Sequence, residues 1–253
     1  MSNHFHCILY IPKETFSAKE MARRLVTFKK GKVDIDPNSE YCLRRLEMSN
    51  DLSSFMKELQ RGFTCWYNKS RPYKRRGTLW EQRFKCTKLV GSEALVTCLQ
   101  YVELNPVRAE ITKDPAEYRF CTYGTWRQSG KHSFASSFKK HMMPALAIYL
   151  DKQTMKGLES YFLRRFTGII AGENGDTQEQ VDSAVINAKK NQSNILLRRS
   201  RYWIDSAILG GELALREHAI EIWGQRRGRK KRFGRAYSER GITVLGIRQL
   251  SSI

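Results

Sequence analysis

From Asp51 onward, Leu52, Phe55, Met56, Leu59, Phe63 and Trp66 recur at intervals of three and four residues. That spacing places them on one side of a helix of about four turns, the strongest local constraint in the chain. A second helical stripe follows Ser92 and carries Leu95, Val96, Leu99 and Val102. Pro106 should end it, because the residue before a proline is pushed away from helical geometry. Ser17-Ala-Lys-Glu20 has the form of a capping box and predicts a shorter helix to about Phe28. Phe5 to Ile11 is a strand-length run of β-formers stopped by Pro12. The polar stretch 29–40 and the basic stretch 68–76 read as loops, and 77–85 as an extended segment.

The character changes after about residue 128. Residues 128–137 are rich in Ser and polar groups, a plausible boundary, and helical patterns follow at 138–166 (broken at Pro144), 177–199 and 211–223. Residues 168–176 read as a loop, and no internal repeat is present. The expected organisation is a mixed α and β domain over residues 1–128 and a mainly helical, basic region over residues 129–253.

Charge narrows the function. Forty-five Lys and Arg against 25 Asp and Glu give a net charge of +20 over 253 residues. An excess of that size points to a polyanionic partner, nucleic acid or an anionic membrane surface. No apolar run is long enough to span a membrane and no signal peptide opens the chain, so a secreted or integral membrane protein is not expected. The six cysteines, all in the first half, include no Cys-x-x-Cys pair. They predict reduced thiols in a cytoplasmic protein rather than a zinc site.

Two pairs could carry chemistry. His4 and His6, two apart on the expected strand, would point to one face and form half of a divalent-metal site, although two histidines near a terminus can also be incidental. Tyr101 and Asn105 lie one helical turn apart, beside the Leu95–Leu99–Val102 stripe. They read either as core-edge packing with a wet hydroxyl or as a phenol nucleophile with an amide ligand one turn below. The basic stretch gives Arg71, Lys74, Arg75, Arg76, Arg83 and Lys85 around Tyr73, Trp80 and Phe84. Such interleaving suits single-stranded nucleic acid, phosphates on the cations and bases on the rings; the bland alternative is a solvated loop over core aromatics. Gln225 to Arg235 holds seven basic residues in eleven, a second contact or a nonspecific tail.

Taken in order, Asn3-His-Phe-His6, Gly77-Thr-Leu-Trp-Glu-Gln-Arg-Phe-Lys85, Tyr101-Val-Glu-Leu-Asn-Pro-Val-Arg-Ala109 and Pro115-Ala-Glu-Tyr-Arg119 resemble the REP-associated tyrosine transposases. These are a branch of the single-tyrosine HUH transposases. The resemblance covers about residues 1–128; Arg201-Tyr-Trp-Ile-Asp-Ser-Ala-Ile-Leu-Gly-Gly211 is similar to C-terminal extensions of some longer members. It implies a ferredoxin-like α+β domain, an antiparallel sheet with helices, followed by the helical region. It implies His4, His6 and Asn105 as ligands of Mg²⁺ or Mn²⁺, and Tyr101 as the nucleophile that forms a 5′-phosphotyrosine. Arg71, Lys74, Arg75, Arg76, Trp80, Arg83, Lys85 and Arg108 become expected contacts to single-stranded DNA, at hairpin-forming repeats in that family. In the family the His-x-His motif follows a leading segment with the first strands. Here it begins at residue 4, so the expectation is a chain truncated at its front. The alternative is an inactive remnant that only binds DNA or RNA. Monomer and homodimer are both compatible with one tyrosine per site.

Overall fold

A computed structural model describes residues 4–12, 16–73, 75–171, 207–239 and 242–247. It divides into two compact units, Leu9–Lys85 and Met1–Ile8 with Cys86–Ile253. Lys74, the expected helix at 177–199 and most of the Arg201–Gly211 segment lie outside the described residues.

The Leu9–Lys85 unit is helical. α1 (Ala18–Phe28) starts as the capping box predicts, with Ser17 Oγ accepting from the Glu20 amide at 3.2 Å. α2 (Glu40–Glu47) begins inside what reads as loop; Ser39 Oγ accepts from the Cys42 amide at 3.3 Å and caps it. α3 (Leu52–Ser70) is capped by Asp51, whose carboxylate accepts from the Ser53 and Ser54 amides. Met21, Ala22, Leu25, Ile35 and Cys42 form a small core, and an ion pair from Arg45 to Glu58 links α2 to α3.

Residues 4–12 carry no regular secondary structure, so the strand expected at Phe5–Ile11 is not formed. A strand exists through its ladder partners. The described strands pair with one another instead: β1 (Lys88–Val90), β2 (Ile208–Gly210), β3 (Gly234–Glu239) and β4 (Ile242–Ile247), in the order β1-β2-β4-β3. β1 runs parallel to β2; β2–β4 and β3–β4 are antiparallel. Three of these strands lie beyond residue 128, where the sequence suggested helices. Ile208-Leu-Gly210 is short and buried throughout, so no polar–apolar alternation marks it. The coarse expectation of a mixed α and β chain holds, and the described residues are mostly helical.

Over this sheet lies α4 (Ser92–Glu103), packed against β1, β2 and β4. It stops at Glu103, and α5 (Asn105–Arg108) restarts with Pro106 in its first turn, where the missing N–H is no loss. Then come α6 (Thr122–Ser129), α7 (Ala135–His141), α8 (Met143–Leu146, beginning at the expected Pro144 break) and α9 (Met155–Ala171). α9 runs through 168–171, residues read as loop. α10 (Glu212–Lys230) kinks at Gly224, whose φ of 75° suits glycine. Val96, Leu99, Tyr101 and Leu104 join Tyr123, Phe162, Phe166, Leu209 and Val244 in one core. Phe162 and Phe166 stack at 5.3 Å, and Tyr123 meets Phe166 edge-on at 4.9 Å. Full burial of one such side chain contributes roughly 1.5–3 kcal/mol.

Candidate active site

α4 is buried on nearly every side, and that burial positions the site. Its polar residues are satisfied internally. Thr97 Oγ1 donates to the Glu93 carbonyl at 2.7 Å, and Gln100 Nε2 donates to Tyr161 Oη at 2.9 Å. Glu103 accepts from the Tyr123 amide at 3.0 Å, which caps α6. Burial holds the Glu103 carboxyl above the ordinary carboxylate range, and the Tyr123 amide acts against that rise. These contacts fix the last turn of α4, which carries Tyr101.

Tyr101 is 5 % exposed, not the wet core-edge tyrosine that its helical position suggested. Arg108 covers its ring: the guanidinium carbon sits 3.7 Å from the ring centroid, and Nη2 donates to the Tyr101 carbonyl at 2.7 Å. That carbonyl belongs to the last turn of α4, where the chain needs donors from outside the helix. His6 meets the same ring edge-on, with centroids 6.3 Å apart, and His4 meets His6 edge-on at 5.2 Å. The structure therefore brings His4, His6, Tyr101 and Arg108 together. Burial, then the neighbouring His4 and Arg108, lower the His6 pKa to about 4. At neutral pH its imidazole is uncharged and keeps a lone pair for a ligand.

Asn105 opens α5 and is buried, and its Nδ2 has no hydrogen-bond partner. An orphaned buried amide N–H costs about 1–3 kcal/mol. Turning the amide over would put Oδ1 in that place, a hard oxygen donor suited to Mg²⁺ or Mn²⁺. Two imidazoles and one such oxygen would be a donor set for a divalent cation; Arg108, beside Tyr101 and His6, carries charge of the same sign as the metal and disfavours further positive charge there. Among the described residues no group of three or more His, Cys, Asp or Glu could hold a metal ion. A site built on His4 and His6 would therefore need a donor of another kind, such as the Asn105 side-chain oxygen.

The other expected DNA contacts belong to the Leu9–Lys85 unit. Arg71, Arg75, Arg76, Arg83 and Lys85 are exposed. Arg71 lies over the Tyr67 ring, 4.2 Å from its centroid, and hydrogen-bonds the Tyr67 hydroxyl. Arg75 reaches Asn68 Oδ1 at 3.3 Å, and Asn68 Nδ2 donates to the Gly77 carbonyl at 3.0 Å. Trp80 is half-buried: its Nε1 is shared between the Gln60 carbonyl and Thr64 Oγ1, each at 3.0 Å. The loop is thus strapped back onto α3.

Sequence reasoning assigned Arg108 to DNA and missed its contact with Tyr101. The two residues stand on separate helices, α4 and α5, joined through Leu104, so no single helical period displayed the contact. Cys98 and Cys121, both pushed by burial to about 12, are inert thiols at neutral pH. All six cysteines are free. Among the described residues no helix is long and apolar enough to cross a membrane. No family model matches this chain, and no curated protein or solved structure matches it.

Proposed function

We propose that this chain is a transposase-type enzyme that cleaves and rejoins single-stranded DNA through a 5′-phosphotyrosine on Tyr101. The observation that carries the reading is the side-chain cluster itself: a tyrosine met edge-on by His6, with His4 against His6, and a guanidinium over the tyrosine ring. The ferredoxin-like arrangement implied by the sequence motifs belongs to the same reading.

His4, His6 and Asn105 would hold Mg²⁺ or Mn²⁺, which supplies Lewis acidity to a phosphate oxygen. Tyr101 Oη attacks the scissile phosphorus in line, the Oη–P bond forms and the P–O3′ bond breaks. The phenol proton passes to water, and the departing 3′ oxygen takes one from water. Arg108 holds the Tyr101 backbone and ring, so the phenol is oriented before DNA arrives. The phosphotyrosine retains the phosphodiester's energy, so a second 3′-hydroxyl can displace Tyr101 and rejoin the strand without a nucleotide cofactor.

Incubation of the full chain with labelled single-stranded hairpin DNA and Mn²⁺ should give an adduct that survives denaturing electrophoresis. Tyr101→Phe should abolish it while leaving DNA affinity within about twofold, and EDTA should abolish it in the native chain. DNA binding without any adduct would favour a second reading, a nucleic-acid-binding protein without cleavage activity. The deep burial of Tyr101 is the feature that supports that second reading.

A further inference from the structure

On α3, Phe55, Leu59, Phe63 and Trp66 of the apolar stripe are open to solvent, while Met56 is buried. Phe63 is 44 % exposed and Trp66 62 %. Their rings meet at 5.5 Å, and Phe63 also touches Trp80 at 5.8 Å. Trp80 cannot swing away, because its Nε1 is held to α3 at two acceptors. The held Trp80 ring backs Phe63, which in turn meets Trp66, so three aromatic rings are already gathered on one exposed shelf and part of the side-chain ordering that a planar ligand would require is done in advance.

The charge around the shelf selects the ligand. Residues 57–85 hold nine Lys and Arg against only Glu58 and Glu81, and Glu58 is already paired with Arg45. Arg71 and Arg75 are fixed beside the shelf through Tyr67 and Asn68. An apolar protein segment would leave these cations unmatched. A duplex would offer phosphates but no open base faces. A single strand supplies both, with bases for the rings and phosphates for the guanidiniums.

We infer that Phe63 and Trp66 on α3 form a base-stacking platform for single-stranded DNA, with Arg71 and Arg75 taking the flanking phosphates. This rests on the single-stranded DNA part of the proposed function and not on strand cleavage. The platform gives the chain grip on unpaired bases of any sequence, since every base presents a π face.

The test uses the full chain and three fluorescent probes of equal length: a mixed-sequence single strand, the same strand with a run of abasic sites, and a hairpin duplex. The native protein should bind the intact strand more tightly than the abasic one. Trp66→Ala should weaken intact-strand binding by about 5- to 100-fold, the loss of one stacked base, and leave abasic-strand affinity unchanged. Trp66→Phe should recover most of the loss, and circular dichroism should show each variant folded. Arg71→Gln should weaken intact and abasic strands alike and flatten the salt dependence. Equal binding of native protein and Trp66→Ala, an equal loss on the abasic strand, or tighter binding to the duplex, to single-stranded RNA or to anionic vesicles would each overturn the platform. Adduct formation on the same samples separates the two proposals. A stacking loss without any adduct keeps the platform and removes cleavage, whereas an adduct with no Trp66 effect does the reverse.

Discussion

α3 and α4 look alike in sequence and differ in the fold. Both carry apolar residues at helical spacing, yet α3 buries only Met56 fully, and α4 buries Ala94, Val96, Thr97, Leu99, Gln100, Tyr101 and Glu103. The polar positions of α4, three apart, resemble a solvent face but are internal and hydrogen-bonded. The apolar positions of α3 resemble a core face but are largely open. Periodicity reports that a helix has two faces; it does not report how many neighbours will cover them. α4 has a sheet beneath it and α8 against it, whereas α3 has the loop that Trp80 and Asn68 strap down.

The contrast is most directly broken by matched truncations. Leu99→Ala in α4 should cost about 2–5 kcal/mol, because its cavity is walled by packed side chains. Leu59→Ala in α3, 42 % exposed, should cost no more than about 0.5 kcal/mol. Urea unfolding followed by far-ultraviolet circular dichroism measures both, and comparable losses would mean that α3 is covered after all.

A smaller effect sharpens the same point through pH. The raised pKa of Glu103 means that the folded chain keeps a proton that the unfolded chain releases. Stability from this group is therefore full below the ordinary carboxylate pKa and falls as pH rises towards the folded value. Glu103→Gln keeps an oxygen acceptor for the Tyr123 amide and removes the titration. The melting temperature of the native chain minus that of the variant should fall as pH rises from about 4 to 7. A rise would show that the hydrogen bond to the carboxylate outweighs its burial.

The smallest expected change is on the open side. Arg45→Ala removes the ion pair to Glu58, whose side chain is 48 % exposed, and should cost about 0.2–1 kcal/mol, less at high salt. A loss beyond that in the same unfolding assay would mean that α2 and α3 depend on the pair for their packing.

Much of the local structure was legible. The capping serine of α1, the four-turn spacing of α3 and the proline break before α8 each act within a few residues, so sequence alone displays them. The pairing of β1 with β2 joins residues 88–90 to 208–210, and no local signal encodes such a distance. Ile242-Thr-Val-Leu-Gly-Ile247 did carry a β-branched signal, which the reading of 129–253 as mainly helical passed over. For the site, residue types and spacing singled out His4, His6, Tyr101 and Asn105 as candidates. The arrangement of Arg108 over the Tyr101 ring, with the His6 ring at its edge, appears only in three dimensions.

What the sequence determined by itself was therefore chemical inventory and local helical phase: a strongly basic chain, the positions of its histidines and tyrosine, and the starts of α1, α3 and α4. The tertiary structure decided burial. Whether a face is covered depends on residues more than a hundred positions away, as β2 and β4 beneath α4 show. Burial turns Gln100 and Glu103 into core residues and leaves Phe63 and Trp66 in water.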